Sequence, residues 1–377
     1  MEERQFFACH GPQNYYNFIS SEELSSDGLL LPRGKGKMVN VGVVGIGFMG
    51  NMHFNVHRAN KRARVVAIAD LNEKRLKGDW SDIAGNIGDA AAANVDLSGV
   101  ATYKEADDLI SSADVGLVDI CLPTYLHRKY AIKALEAGKN VLCEKPISLS
   151  LEDAQQILKA SERAKGKFMV AHCIRFWPEY ALVKEMVAEG RYGGVLSASF
   201  RRLSPTPTWS GDNWLLDAKK SGSALYDLHC HDVDYINYLF GRPQAVSAAG
   251  VSHITSGIDH VATNYIYEDG KQVTAEGGWL FPAAFPFAMS FTIVCEEATL
   301  DYNSGREKAL AIYLADGSAS YPEVPPGDGY VREIDYFLQC IEEDKEPEVV
   351  TAKKALSSLE IVVAEEEAIR RNEPVKL

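Results

Sequence analysis

The chain has 377 residues, enough for about two domains, and a net charge of −13 at pH 7. So acidic a chain lacks the basic surface that nucleic acid and anionic membranes require, and we expect neither as a partner. Its seven cysteines are scattered without Cys-x-x-Cys pairs, which predicts reduced thiols in a cytoplasmic protein. No apolar run approaches the roughly 20 residues of a membrane span.

The first 37 residues differ in pattern from the rest of the chain. Their charges are mixed, and the apolar cluster at 29–31 is too short for the core of a signal peptide. A basic stretch, 33–37, then leads to Met38, which opens the first predicted strand. We therefore expect residues 1–37 to form an N-terminal extension outside the core fold.

Residues 39–70 have the pattern of a dinucleotide-binding unit. A β-branched run leads into Gly45-x-Gly47-x-x-Gly50, an amphipathic helix comes next, and a second apolar run ends at Asp70. In such a unit the first glycine permits a tight turn, and the second lets the backbone approach a pyrophosphate. The third glycine lets the helix pack closely on the sheet.

The residues around these glycines predict the cofactor. Phe48 and Met49 open the helix, whose free N–H groups and positive dipole end favour phosphate. Asp70 is placed to accept hydrogen bonds from ribose hydroxyls and to repel a 2′-phosphate, which favours NAD. Arg75 lies close enough to keep NADP as the alternative.

Strands and helices continue to alternate to about residue 174. Predicted strands lie at 100–103, 115–121, 140–143 and 168–174, and predicted helices at 72–94, 105–112, 126–137 and 151–165. Repeated right-handed βαβ units give a parallel sheet with helices on both faces. We assign residues 38–165 to a Rossmann NAD(P)-binding domain, whose ligand lies at the carboxyl ends of the strands.

Polar residues that could bind ligand follow two of these predicted strands. The first is the Pro123–His127 loop, and the second is Glu144-Lys145-Pro146. A lysine held by a following proline can donate to a substrate oxygen and stabilise alkoxide-like charge. From its chemistry alone, a solvated surface lysine is an equal alternative.

The second half of the chain is rich in alternating strands. They lie at 195–203, 245–254, 261–267, 272–280, 287–296, 299–302 and 309–314, and helices are predicted at 178–190, 330–344 and 351–371. The fold class is therefore α/β: a Rossmann domain, then an α+β domain over 166–377 with a large, mainly antiparallel sheet. Its uncovered face suits a homodimer or homotetramer, and the last helix, 351–371, could pack back on the first domain.

A helix over 222–241 carries the second polar cluster. Asp227 and His231 are four residues apart and share a helical face, so the carboxylate can orient the imidazole as a general base. A buried structural pair is the alternative. Metal binding by His229, Cys230 and His231 is not expected, because adjacent helical positions diverge.

Together these motifs resemble the Gfo/Idh/MocA family of oxidoreductases over about residues 38–377. The resemblance implies NAD(P)-dependent oxidation of a secondary hydroxyl on a cyclitol or sugar, as in inositol dehydrogenases. It implies that Lys145 contacts the substrate, that His231 is the base and that Asp227 is its partner. The implied cofactor contacts are Gly45, Gly47, Phe48, Met49, Gly50, Asp70, Leu122, Pro123, Thr124, His127, Glu144, Lys145 and Arg175.

The resemblance leaves the substrate open. The candidate substrate contacts are Lys145, Arg175, Trp209, Asn213, Trp214, Asp227 and His231, although core packing explains the two tryptophans equally well. Two other functions stay open: an NAD-assisted glycoside hydrolase of the same superfamily, and a non-catalytic NAD(H)-binding redox sensor. A sensor has no need of a proton acceptor, so the presence of Lys145, Asp227 and His231 weighs against the sensor.

Overall fold

The computed structural model describes residues 38–85 and 93–377. The predicted N-terminal extension therefore lies outside the described residues. None of the helices within these ranges is long and apolar enough to cross a membrane.

A six-stranded parallel sheet forms the core of the first domain, in the order β3-β2-β1-β4-β5-β6. The central strands are buried on both faces, as an apolar run between two layers of helices requires. The strands are β1 Val39–Val44, β2 Ala63–Ala69, β3 Ala101–Tyr103, β4 Leu117–Ile120, β5 Asn140–Glu144 and β6 Phe168–Ala171. The predicted Rossmann architecture is confirmed.

Four helices connect these strands: α1 Phe48–Ala59, α2 Ala106–Ser111, α3 His127–Glu136 and α4 Leu151–Arg163. Ser150 caps α4, since its hydroxyl accepts from the Asp153 N–H at 3.2 Å. The helices thus begin and end close to the predicted positions.

The helix predicted over 72–94 is wrong for the part that the structure describes. That part contains only a 3₁₀ turn, Arg75–Lys77, which ends at Gly78 with φ +87°. Asn72 and Asp79 accept from backbone N–H groups two residues further on, so their side chains compete with helical bonding. Residues 86–92 lie outside the described residues.

The parallel sheet extends past residue 165, where the sequence predicted the domain boundary. Strand β6 pairs with β5 in parallel register, from Phe168 beside Val141 to Ala171 beside Glu144. The boundary at 165 is therefore too early, because helix α4 must be followed by the strand that it connects to the sheet.

The second domain contains a nine-stranded sheet in the order β14-β13-β12-β11-β7-β10-β9-β8-β15. Its neighbours pair antiparallel except β7 and β10, so the predicted, mainly antiparallel sheet is confirmed. The strands are β7 Val195–Pro205, β8 Ala245–Val251, β9 His260–Ile266, β10 Gln272–Phe281, β11 Ala288–Cys295, β12 Ala298–Asn303, β13 Leu310–Leu314, β14 Ala319–Ser320 and β15 Val375–Lys376.

One face of this sheet is covered by α5 Pro178–Ala188, α7 Cys230–Phe240 and α9 Ala352–Arg371. The second half of the chain also contains α6 Ala218–Ser221 and α8 Gly329–Glu342, and α8 packs on α1 and β1 of the first domain. Along β9, buried and exposed residues alternate, so the opposite face is open. Helix α9 packs on α7 and β8 of its own domain and on α4 of the first, so it joins the two domains.

A buried ion pair holds α7 over the sheet. The guanidinium of Arg202, in β7, donates to both carboxylate oxygens of Asp232 at 2.9 and 3.0 Å. Both side chains are almost fully buried. Charges at such depth persist only when they are paired.

We expect Arg202→Met to lower the free energy of unfolding by about 3–5 kcal/mol, because it leaves the Asp232 carboxylate buried and unpaired. Urea denaturation measures the change. The matched control is Arg201→Met, whose neighbouring side chain is 56% exposed and pairs with Glu276. That change should cost less than about 1 kcal/mol. Equal losses in the two variants would contradict the assignment.

Candidate functional site

The candidate site lies at the carboxyl edge of the parallel sheet. The glycine loop follows β1, Leu122 to Thr124 follow β4, and Lys145 follows β5. Parallel strands bring these ends to one edge, where ligands of open α/β sheets bind. Asp227 and His231 reach this edge from the second domain.

The glycine loop has the shape that a pyrophosphate needs. Gly45 has φ +88°, and a Cβ there would lie 2.7 Å from the Cys121 carbonyl oxygen. A Cβ on Gly50 would lie 1.8 Å from the Gly45 carbonyl oxygen, so the helix packs too closely for any side chain. A Cβ on Gly47 would meet no atom within 4 Å. The open space in front of Gly47, at the N-terminus of α1, fits a dinucleotide.

Asp70 sits at the end of β2, as predicted, and its carboxylate also supports the glycine loop. It accepts from the Ile46 N–H and the Asn72 N–H, both at 2.7 Å. The Arg75 guanidinium lies 3.6 Å from Asp70 and 2.9 Å from Asp82. The negative charge is thus in place beside the loop, with a cation close behind it.

Lys145 is held across the two domains. Its Nζ donates to the Asp227 carbonyl at 2.8 Å and to Asp227 Oδ1 at 3.0 Å. The peptide bond between Lys145 and Pro146 is cis. Only 12% of the lysine side chain is exposed, so the solvated surface lysine that the sequence left open is excluded.

The predicted hydrogen bond between Asp227 and His231 is not formed. Residues Leu225–His229 form a π-helical turn before α7, and its i→i+5 bonding takes residues four apart out of line. Asp227 pairs with Lys145 instead. Nδ1 of His231 is buried without a hydrogen-bond partner in the described ranges.

His231 is neutral at physiological pH. Burial lowers its pKa well below the usual 6.5, and the nearby charges of Lys145 and Arg202 add to this. His172, at the end of β6, is also neutral, because burial lowers its pKa to about 4. An imidazole beside a cation is thus kept in the form that can accept a proton.

His127 positions backbone and does not face the open site. It is fully buried, and its two ring nitrogens lie 2.8 Å from the Pro146 and Leu122 carbonyl oxygens, so whichever nitrogen carries the proton donates to one of them. The ring nitrogens of His127 therefore face backbone carbonyls, and the contact of this residue with the cofactor stays a prediction. The ring ties the loops after β4 and β5 together, so Leu122, Pro123 and Thr124 stay at the edge.

Arg175 is likewise structural. Its guanidinium forms two bonds to Asp234, at 2.7 and 2.8 Å, and a third to the Val349 carbonyl at 2.7 Å. The side chain is 1% exposed. The guanidinium thus has three protein acceptors, and the contact of Arg175 with cofactor or substrate stays a prediction.

The tryptophan segment lies beside the glycine loop. Trp209 meets Phe48 edge to face, with ring centroids 5.2 Å apart. Trp209 and Trp214 also pack on a small buried cluster that contains Trp279. Packing therefore accounts for much of both rings. Asn213 is exposed, in a left-handed conformation with φ 51°.

Sequence reasoning missed a buried polar network beneath the site. Asp119, in β4, accepts from His53 Nδ1 at 3.0 Å and from His57 Nε2 at 2.8 Å. Among the described residues, His53, Asp119 and Cys121 are the group close enough together to hold a metal ion, but both imidazoles already occupy Asp119. An aspartate inside the apolar run 115–121 was the signal, since a buried charge requires a partner.

Comparison with known proteins agrees with this architecture. A family model described as "Oxidoreductase family, NAD-binding Rossmann fold" matches residues 39–172. The GFO/IDH/MocA C-terminal domain matches residues 180–301. A solved structure of levoglucosan dehydrogenase, in complex with NADH and levoglucosan, has a TM-score of 0.77 at 23% identity, covering 90% of this chain and 99% of that one. That likeness shows the fold.

Curated proteins with similar sequences are also found, and their identity to this chain is somewhat higher than that of the solved structure. Over 323 residues the chain is 27% identical to inositol 2-dehydrogenase from Rhizobium meliloti, covering 82% of this chain and 90% of that protein. Over 251 residues it is 28% identical to 2,7-anhydro-N-acetylneuraminate hydratase from Escherichia coli, covering 65% and 63%. Several other relatives align over only 53% to 63% of their own length. Since both family models match in order along the chain, it belongs to the Gfo/Idh/MocA family of oxidoreductases, and its first domain is that family's NAD-binding Rossmann fold.

Proposed function

We propose that this protein is an NAD-dependent dehydrogenase that oxidises a secondary hydroxyl of a cyclitol or sugar. The observation that carries the proposal is Lys145 at the end of β5, bonded to Asp227 of the second domain and close enough to His231 for its charge to help lower the pKa of that imidazole. A paired cation and a neutral imidazole are the two groups that alcohol oxidation requires. The names of relatives, an inositol and a levoglucosan dehydrogenase, support this substrate class.

In this reaction Asp227, Lys145 and His231 have separate roles. Asp227 holds Lys145 Nζ in place, and a spare N–H of the ammonium donates to the substrate oxygen. This interaction strengthens as the oxygen gains negative charge. The hydroxyl proton passes to the imidazole of His231, which is neutral and can therefore accept it. NAD, bound over Gly47 and Asp70, supplies the hydride acceptor.

The surroundings of the site orient the substrate. Trp209 and Trp214 are the candidates for packing against the C–H face of a ring, as far as their contacts with Phe48 and Trp279 leave them uncovered. Asn213 is the exposed polar neighbour. The cytoplasmic location and the homodimer or homotetramer through the open sheet face belong to the same proposal.

A redox-neutral reaction is the second candidate. The observation that favours it is the similarity to the 2,7-anhydro-N-acetylneuraminate hydratase, and the predicted NAD-assisted glycoside hydrolase falls in the same class. Net nicotinamide reduction separates the two candidates, because only a dehydrogenase accumulates NADH with each turnover.

The first prediction concerns the cofactor loop. Gly47→Ala should fold normally, since its Cβ meets no protein atom within 4 Å, but should weaken NAD binding at least about tenfold by occupying the pyrophosphate space. Gly50→Ala should instead lower thermal stability, because its Cβ would lie 1.8 Å from a carbonyl oxygen. NADH fluorescence titration and thermal melting measure the two effects. Unchanged NADH affinity in Gly47→Ala would contradict the assignment.

The second prediction tests the reaction. Purified protein with NAD, and separately with NADP, should reduce the nicotinamide with a member of a panel led by myo-inositol, scyllo-inositol, glucose and xylose. Lys145→Met should lower kcat by about 10²–10³-fold and leave NADH binding nearly intact. Cofactor binding without reduction by any polyol would count against the dehydrogenase and favour the redox-neutral reaction or the sensor.

The third prediction is a pH profile. Because burial holds the pKa of His231 well below 6.5, the base is already deprotonated at neutral pH. The kcat for oxidation should therefore show no acidic limb near pH 6.5, and should fall only at clearly lower pH. An acidic limb near 6.5 that disappears in His231→Gln would show that the imidazole is solvated and not buried.

A further inference from the structure

A row of buried histidine and carboxylate side chains runs beneath the proposed active site. It starts at His57, passes through Asp119 to His53, and ends at Glu144, whose Oε1 lies 3.1 Å from His53 Nε2. The histidine side chains and that of Asp119 are fully buried, and that of Glu144 is 7% exposed. The row crosses from helix α1 over strand β4 to the end of β5.

The last member of this row touches the backbone of the catalytic lysine. Glu144 Oε2 accepts from the Lys145 N–H at 3.1 Å. The other carboxylate oxygen faces His53 at ion-pair distance, although the angle is too far from linear for a hydrogen bond. The carboxylate therefore stands between the imidazole and the lysine.

His53 is a cation in this row. Burial is the largest single effect and would lower its pKa, but the charge of Asp119, the hydrogen bond to it and the contact with Cys121 together outweigh burial, so the pKa lies well above its usual value of 6.5. Glu333, on α8, is a further buried carboxyl close to the row, and burial raises its pKa well above 4.5. Its two oxygens have no hydrogen-bond partner in the described ranges. A neutral Glu333 adds no negative charge next to His53.

We propose that His53 is a positioning residue for Lys145, acting through Glu144. The imidazolium bridges Asp119 and Glu144, and the Glu144 carboxylate in turn holds the lysine backbone. This inference rests on the proposed function, in which Lys145 donates to the substrate oxygen.

The arrangement also joins two parts of the site. His53 lies on α1, whose N-terminus faces the proposed pyrophosphate position, and Glu144 lies on β5, next to the lysine. A single side chain thus sets the distance between the helix that would hold the cofactor and the ammonium that would hold the substrate. Hydride transfer is sensitive to such distances, since a displacement of about 1 Å can cost about 10²-fold in rate.

The chain offers a matched control. His57 lies one helical turn further along α1, is equally buried and bonds to the same Asp119, but it pairs with Asp119 alone. A purely structural role would be shared by the two histidines. A positioning role belongs to His53, because only this imidazole reaches Glu144 within ion-pair distance.

The first readout needs no substrate. The full chain, without added cofactor, is treated briefly with an amine-acetylating reagent, and modification of each lysine is followed by mass spectrometry. In His53→Asn, Lys145 should be acetylated about fivefold faster than in the wild type, because Nζ leaves Asp227 more often. In His57→Asn the rate should change less than about twofold. An unchanged rate in folded His53→Asn, or an equal rise in both variants, would overturn the proposal.

The second readout uses the polyol that the panel identifies. His53→Asn should lower kcat by about 10- to 100-fold with little change in KM for NAD, and His57→Asn should lower thermal stability and keep kcat. If His53 acts through Glu144, the double variant His53→Asn with Glu144→Gln should lose no more rate than the worse single variant. Because His57→Asn keeps kcat, the double variant His57→Asn with Glu144→Gln should have the same kcat as Glu144→Gln alone.

The two proposals fail in different ways. If the wild-type protein reduces no nicotinamide, the proposed function is contradicted, and the acetylation comparison still tests the role of His53. If the wild type is active but the kcat losses of His53→Asn and Glu144→Gln multiply in the double variant, the positioning role alone is contradicted. If His53→Asn does not fold, His53→Gln takes its place in both measurements.

Discussion

The contact between Lys145 and Asp227 is the interaction on which the rest of the site depends. It joins the end of a parallel strand in one domain to the π-helical turn of the other, at 2.8 and 3.0 Å. Without it, the ammonium would be a mobile charge at an interdomain edge. With it, the lysine has one position relative to the glycine loop, and the second domain has one position relative to the first.

Buried charged pairs also connect other strands and helices of the protein. Arg175 with Asp234 joins the segment after β6 to α7, Arg202 with Asp232 joins β7 to the same helix, and His53 bridges Asp119 to β5. Each charge is costly to desolvate and is tolerated because its partner is fixed in good geometry. Such pairs specify how elements meet more sharply than apolar contacts, which tolerate sliding.

Two histidines show how the environment decides protonation. His231 lies near the cations Lys145 and Arg202, and its pKa falls well below 6.5. His53 is buried as well, but it faces Asp119 and Cys121, and its pKa rises well above 6.5. One ring is therefore kept neutral and available for a proton, and the other is kept charged and suited to hold carboxylates in place.

The sequence alone determined the local elements and the family. Glycine spacing, β-branched runs and helical periodicity are local properties, so the strand–turn–helix unit at 39–70 could be predicted without a fold. The helix prediction for 72–85 is wrong because Asn and Asp side chains accept hydrogen bonds from nearby backbone N–H groups. A pattern of apolar residues does not reveal this competition.

Only the tertiary structure decided which polar groups pair. The spacing of Asp227 and His231 predicted a bond within one helix, yet Asp227 found Lys145, 82 residues earlier in the chain. Arg175 and His127 are residue types that often contact ligands, but the fold places Asp234 beside the arginine and backbone carbonyls beside the histidine. A side chain's partner depends on which elements the fold brings within about 3 Å, and that distance is set by long-range packing and not by spacing along the chain.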